Sequence, residues 1–272
     1  MKLSEEEFRR IVHYVRGRYG IDLSQKKVLI AGRMENYLLR NGYHSYEEYI
    51  RLVEQNPEGM EAKNLINVLT TNHTYFMRES VHFEYLQKTI LPWIRLREQN
   101  RSKDVRVWSA ASSTGEEPYT IQMVLSDYFS LDSGWDTQLL ATDVSTEVLQ
   151  KAKNGIYLGE QIEVVPDTWK RRYFQRVNEE NYQVREEIRK KIIFRTFNLM
   201  EEIPFKGLFH VVFLRNVMIY FEEETKRKLL SRIYQHMADG GYLLIGTTES
   251  IDKSMSEFQY IQPSIYRKMV KR

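Results

Sequence analysis

From Val105 onward, short β-type runs alternate with stretches of helical spacing. That alternation restricts the chain to a doubly wound α/β architecture, a mostly parallel sheet with helices on both faces. Val105–Trp108 is the first such run, and it stops at the small residues Ser109 to Ser113. Pro118 suits a first helical turn, and Ile121, Val124, Leu125 and Tyr128 follow at helical spacing. Gln138–Ala141 reads as a second strand ending at Thr142-Asp143; Ser145 then caps a helix holding Val148, Leu149 and Ala152, with Gly155 behind it. Ile192–Phe194 is a third strand. Phe209–Leu214 is a fourth, nearly all apolar, as a strand buried on both faces should be. A helix from about Glu222 to Met237 follows, and Asp239-Gly-Gly241 turns into Tyr242–Ile245. The polar stretch from Tyr173 to Lys191 breaks the pattern. Its one strand-like core, Tyr182-Gln-Val184, leaves a small antiparallel insert and a solvated loop equally open.

The first part of the chain reads as helices. Ser4 with Glu7 forms a capping-box pattern ahead of Phe8, Ile11, Val12 and Val15. A second helix spans Lys26 to Leu39, with Gly42 as its stop. Ser45 with Glu48 opens a third, and Gly59 precedes a fourth with Leu65, Ile66 and Leu69 inward. The expected organisation is a helical domain over residues 1–75 and an α/β domain over 76–272, with the insert at about 173–191. A length of 272 residues and a hydrophobic share of 42% can furnish both cores. The chain has no cysteine, which excludes disulfides, thiolate metal sites and cysteine nucleophiles; no metal ion is expected. The N-terminus lacks an apolar signal region, and no apolar run approaches the ~20 residues that cross a bilayer. A cytoplasmic monomer without membrane insertion is the expectation. A net charge of +3 suits an anionic partner, but without a dense basic footprint nucleic acid is not expected.

Ligands in such sheets bind beyond the carboxyl ends of the strands, so those residues carry the chemistry. After the first strand comes Ala110-Ala-Ser-Ser-Thr-Gly-Glu-Glu-Pro118, which lacks the G-x-G-x-x-G dinucleotide fingerprint. Glu116 and Glu117 sit where a pyrophosphate would lie, so an anionic ligand is disfavoured and one with a cationic end is suited. The competing reading is a helix start, because Thr114 and Glu117 also form a capping-box pattern. Asp143 after the second strand matches a ribose cis-diol with its two acceptor oxygens, or is a plain helix-start aspartate. Asn198, followed by Leu199, offers the donor and acceptor that an adenine edge requires. Arg215-Asn-Val-Met-Ile-Tyr-Phe221 runs from a buried strand into polar groups and an aromatic pair. Upstream, Asn72-His-Thr-Tyr-Phe-Met-Arg-Glu79 has neither helical nor strand periodicity and reads as a crossing segment or a linker.

Together these segments resemble the chemotaxis receptor methyltransferase family. The family's N-x-T-x-F-F-R-E motif is similar to Asn72–Glu79, and its S-A-x-x-S-T-G-E-E-P-Y-S motif to Ser109–Thr120. Its R-N-V-x-I-Y-F motif stands intact at Arg215–Phe221, and its G-G-x-L-x-x-G-x-x-E pattern runs from Gly240 to Glu249. The resemblance implies a class I, Rossmann-like methyltransferase fold with a β subdomain at the insert. It implies S-adenosylmethionine as cofactor, S-adenosylhomocysteine as product and the cytoplasmic domain of chemotaxis receptors as partner. By resemblance, Asn72, Thr74, Arg78, Glu117, Asp143, Asn198, Leu199, Asn216 and Val217 line the cofactor site. Arg78 and Tyr220 flank the transferred methyl, and Arg33 and Arg40 on the second helix meet the receptor. Met77 departs from the family's second Phe, Leu214 from its common Cys, and Glu35, Asn36 and Tyr37 make the second helix less basic than usual. Rival readings are a catalytically idle binding module and a nucleic-acid methyltransferase of the same fold.

Overall fold

The computed structural model describes residues 1–132 and 134–270. Four helices open the chain: α1 (Glu5–Tyr19), α2 (Lys27–Arg40), α3 (Tyr46–Gln55) and α4 (Met60–Leu69). Ser4 and Glu7 close the capping box that starts α1, and the Ser45 hydroxyl accepts from Glu48 N–H at the start of α3. Their inward faces meet in one core that includes Ile11, Val15, Ile30, Met34, Leu38, Tyr49 and Leu65. Burying each such side chain contributes about 1.5–3 kcal/mol, which is what holds short helices that would be marginal alone.

A segment without regular structure leads to α5 (Val81–Tyr85), one π turn at Leu86–Ile90 and α6 (Leu91–Glu98). The alternating region follows: β1 (Val107–Ala110), α7 (Glu116–Tyr128), β2 (Leu139–Asp143), α8 (Thr146–Asn154), β3 (Ile156–Leu158), α9 (Asp167–Tyr173), β4 (Phe174–Arg176), β5 (Asn181–Val184), α10 (Glu186–Arg189), β6 (Ile192–Thr196), β7 (Phe209–Leu214), α11 (Glu223–Gln235), β8 (Met237–Ile245), β9 (Gln259–Gln262) and β10 (Ile265–Arg267). Seven strands form one sheet in the order β6-β2-β1-β7-β8-β10-β9. β6, β2, β1, β7 and β8 run parallel, and β10 and β9 close the sheet antiparallel. Two apolar clusters cover the two faces, around Ile121, Leu139 and Phe213 on one and Trp108, Val212 and Leu243 on the other. The doubly wound, mostly parallel architecture expected from the alternation is therefore present, with an all-helical N-terminal part. Among the described residues no helix is long and apolar enough to cross a membrane.

Two details differ from the sequence reading. The insert is a real three-stranded antiparallel sheet, β3-β5-β4, and it begins at Ile156, ahead of the polar stretch. Asp239-Gly-Gly241 is no turn before a strand; it lies within β8, where the pairing with β7 shifts register between Phe209 and Val211. That irregularity absorbs Gly240 at φ 78°, a left-handed conformation that glycine adopts without strain.

The strand order reverses at β1, with β2 to one side and β7 to the other. The loops after β1 and β7 diverge there, leaving the crevice in which open α/β sheets hold ligands. The helical domain leans over this crevice. Asp22 N–H donates to the Tyr220 carbonyl at 2.9 Å, and Ile21 pairs with Phe221 in an isolated antiparallel bridge.

Candidate functional site

A cavity of about 320 Å³ occupies the crevice. Asn72, Thr74, Arg78, Glu117, Asp143, Asn198, Leu199, Asn216, Val217 and Tyr220 all line it, together with Tyr19–Leu23 and Lys26 from the helical domain. Sequence reasoning brought together the strand-end residues. It did not anticipate that the connection after α1 and the start of α2 form the opposite wall.

The loop after β1 does not form the capping box that its sequence also allowed. Helix α7 starts at Glu116, with Gly115 before it at φ 102°. The Thr114 hydroxyl therefore meets the Glu116 carboxylate at 2.7 Å, and Glu117 is left to other partners. One Glu117 oxygen accepts from Ser109 Oγ at 2.7 Å and the other from Arg215 Nη1 at 2.9 Å. Glu116 is 2% exposed and does not reach the cavity, so only one of the two expected carboxylates faces it. On balance the Glu117 carboxyl is held above its ordinary range: burial pushes it up and Glu79 adds to that, against the pull of Arg215 and Ser109.

Asp143 ends β2. Its Oδ2 accepts from Ser113 N–H at 2.8 Å and its Oδ1 from Ser145 N–H at 2.9 Å. Each oxygen keeps a further acceptor position, so a diol could still bind. Burial raises its pKa, against the pull of the Ser145, Ser113 and Val144 N–H groups. Asn198 is placed differently from expectation. Its amide donates to the Arg18 carbonyl at 2.8 Å and accepts from Met200 N–H at 3.0 Å. The side chain therefore ties the sheet domain to α1, and a base edge would meet the main chain of Asn198 and Leu199 rather than this amide.

Arg215 is the functional residue that sequence reasoning passed over. Its side chain is 2% exposed, and its guanidinium joins Glu117 to Glu79, the latter at 3.1 Å, while also donating to the Arg78 carbonyl. Glu79 further accepts from Asn216 Nδ2 at 3.2 Å and Thr247 N–H at 3.1 Å. Burial opposes its ionisation, but Arg215 and these donors outweigh burial and hold its pKa low. Glu249 takes the N–H groups of Asn216, Ile219 and Gly246, fixing the loop after β7. The one available signal was a charged residue directly after an all-buried strand.

Backbone strain collects here. Of the seven non-glycine residues with positive φ among the described residues, Met77, Glu79, Ala111, Ser113 and Asn216 lie in the three loops around the cavity. Each such residue costs about 1–3 kcal/mol and persists only where its surroundings fix it, which is common at binding sites. Met77, which replaces the family's aromatic residue, is not among the lining residues.

Arg78 contrasts with Arg215. Its guanidinium's only hydrogen bond among the described residues is to the His73 carbonyl, at 2.7 Å, and its cation sits 5.7 Å from the Tyr75 ring centre. Among the described residues no carboxylate pairs with it. Outside the cavity, Arg33 donates to the Leu69 and Thr70 carbonyls and to Thr71 Oγ1, bracing α2 against the end of α4 and the residues just after it. Arg40, at the end of α2, is exposed.

The cavity thus offers carboxylates at Glu117 and Asp143, apolar walls, and an unpaired arginine. This donor set suits a nucleoside with a cationic end and repels a pyrophosphate. Comparison with known proteins agrees. The model of the CheR methyltransferase SAM binding domain matches residues 72–267, and that of the CheR methyltransferase all-alpha domain matches residues 6–70. The chain is 37% identical to a chemotaxis protein methyltransferase of Borreliella burgdorferi over 272 residues, covering 98% of this chain and 96% of the relative. It is 35% identical to the chemotaxis protein methyltransferase of Escherichia coli, covering 98% of this chain and 92% of the relative. With the two family models together matching residues 6–70 and 72–267, and the strand-end residues of the crevice falling inside the cofactor-binding one, the chain belongs to the CheR family of S-adenosylmethionine-dependent methyltransferases.

Proposed function

We propose that this chain methylates glutamate side-chain carboxylates on the cytoplasmic domain of chemotaxis receptors, leaving methyl esters. The observation that carries the reading is Arg78, a cation at the cavity with no carboxylate partner, beside Arg215, which has two. A site that pairs one arginine fully and leaves its neighbour open is built to receive an anion from outside.

S-adenosylmethionine supplies an alkyl group on a positively charged sulfur. Asp143 accepts the ribose hydroxyls, Glu117 takes the cationic amino group, and Asn72, Thr74, Leu199, Asn216 and Val217 complete the walls. An exposed glutamate has a pKa near ~4.3, so the nucleophile arrives ionised and no general base is required. Arg78 holds the incoming carboxylate through its guanidinium fork, and the Tyr220 hydroxyl orients one of its oxygens. Bound there, the cofactor would supply a methyl group to the carboxylate oxygen, with the carbon–sulfur electron pair left on the departing thioether sulfur. Opposite charges are consumed, so the apolar walls around the pair favour product once water is excluded. Alignment of this kind can supply up to ~7–11 kcal/mol. On the partner side, Arg40 is the arginine of α2 available to an acidic receptor surface, because the donors of Arg33 are engaged within the molecule.

The test is incubation with methyl-labelled cofactor and a receptor cytoplasmic domain, then mild alkali. Label released as methanol supports a carboxyl ester. Alkali-stable label, or transfer to RNA in preference to receptor, rejects it.

A further inference from the structure

We propose that Arg215 is a positioning residue for the cofactor-binding carboxylate: as its ion-pair partner it favours the charged form of Glu117 and aims it into the cavity without itself holding the ligand. The inference rests on the reading that Glu117 receives the cofactor's cationic amino group. It goes beyond that reading by assigning the control of the carboxylate to a different residue.

The geometry has three parts. First, Glu117 is only partly exposed, at the cavity wall. Of its two oxygens, one meets a neutral hydroxyl, Ser109 Oγ at 2.7 Å, and the other meets Arg215 Nη1 at 2.9 Å. Arg215 is thus the only cation that pairs with Glu117 among the described residues. Second, Arg215 is fixed from behind. Its guanidinium carbon lies 5.5 Å from the Phe83 ring centre, Nη2 reaches Glu79 at 3.1 Å, and the Arg78 carbonyl accepts from Nη2. Third, one guanidinium serves two carboxylates. The cluster of Glu79, Glu117 and Arg215 carries a net negative charge, which a cationic ligand end would neutralise.

The surroundings offer no substitute for this cation. From the crossing segment come Glu79, a like charge, and Arg78, whose side chain turns to His73. From α5 comes His82, whose ring is buried behind Glu79 at 3.5 Å and whose pKa burial lowers to about 4, so it stays neutral. After β8, Glu249 is engaged by N–H groups of the loop after β7. After β2, Asp143 is engaged by backbone N–H groups. Burial already holds the Glu117 carboxyl above its ordinary range and Glu79 adds to that push, with Arg215 the largest influence against it. With Arg215 removed, the Glu117 carboxyl would move further up and its charged form would be less favoured.

The experiment is calorimetric titration with S-adenosylhomocysteine, which retains the amino group, across about pH 5.5 to 8, on wild type, Arg215→Gln, Arg215→Lys, Glu117→Gln and the double variant Glu117→Gln/Arg215→Gln. In wild type any acid limb should lie at lower pH than in Arg215→Gln. In Arg215→Gln the affinity should fall about tenfold for each pH unit below the raised Glu117 pKa and recover as pH rises. Arg215→Lys keeps the charge, and its acid limb should lie between the two. In both variants lacking Glu117 the pH dependence should vanish. A structural role alone would weaken binding equally at every pH. Parallel pH profiles for wild type and Arg215→Gln would overturn the proposal, as would, should Arg215→Gln not fold, an Arg215→Lys profile weaker than wild type by the same factor at every pH. If Glu117→Gln binds as well as wild type, the underlying assignment of Glu117 fails instead, and the two failures are distinguishable.

Discussion

Replacing Asp143 with Asn separates its two duties. Each carboxylate oxygen accepts one backbone N–H, from Ser113 at 2.8 Å and Ser145 at 2.9 Å, in a position only 7% exposed. An amide keeps one acceptor and turns its NH2 toward the other donor. One buried N–H is then unpaired, which costs about 1–3 kcal/mol of stability. At roughly 2–4 °C per kcal/mol for a chain of this class, the melting temperature should drop by about 2–12 °C. Binding suffers separately. A hydrogen bond to a charged group contributes about 1.5–3 kcal/mol, so S-adenosylhomocysteine affinity should fall about 10- to 150-fold. Calorimetry well below the melting transition reads the second effect free of the first. A lower melting temperature with unchanged affinity would refute the ribose role and leave Asp143 as a loop brace.

Arg78→Ala should lower receptor methylation at least ~tenfold, about 1.4 kcal/mol, with a smaller change in S-adenosylhomocysteine affinity, since the incoming carboxylate loses its fork; steady-state turnover and calorimetry check this together, and unchanged turnover removes Arg78 from the mechanism. Gly115→Ala should destabilise by at least about 1–3 kcal/mol, because φ is +102° and a Cβ would lie 2.8 Å from Tyr157 Oη and 2.9 Å from Ala152 Cβ; denaturant melts measure it, and an unchanged midpoint contradicts the geometry. His82 is fully buried and its pKa is lowered from 6.5 to about 4, first by burial and then by Arg215. The unfolded chain therefore takes up a proton that the folded one refuses, so stability is full above about pH 6.5 and falls toward pH 4 by up to about 3 kcal/mol. A melting series across that window should steepen in wild type relative to His82→Gln, and equal slopes would dismiss the contribution.

Where burial is two-sided, the sequence was legible to the residue: β7 spans Phe209–Leu214 as its apolar run indicated. β6 shows the converse. It continues to Thr196, but as an edge strand it exposes Ile193, Arg195 and Thr196, so its second half carries no apolar signal. β9 was illegible for the same reason, with all four residues exposed. At the site, residues directly after strands could be picked out because topology alone places them at one edge. What could not be read was which polar atoms meet. Arg215 and Glu117 lie 98 positions apart, and Asn198 bonds to a carbonyl 180 positions away. Thr114 and Glu117 match a local capping pattern, yet the helix begins at Glu116 behind a left-handed Gly115, and one residue of offset sends Glu117 to Arg215.

The claim that this cavity esterifies protein carboxylates is tested most directly by mapping the product. A receptor cytoplasmic domain incubated with cofactor and enzyme is digested and its peptides weighed, with and without mild base. The mechanism requires peptides heavier by one methylene at a glutamate, reverting to parent mass in base, and nearly absent when Arg78→Ala replaces wild type. Base-stable modification, a modified residue other than glutamate, or equal yield from the Arg78 variant would contradict it.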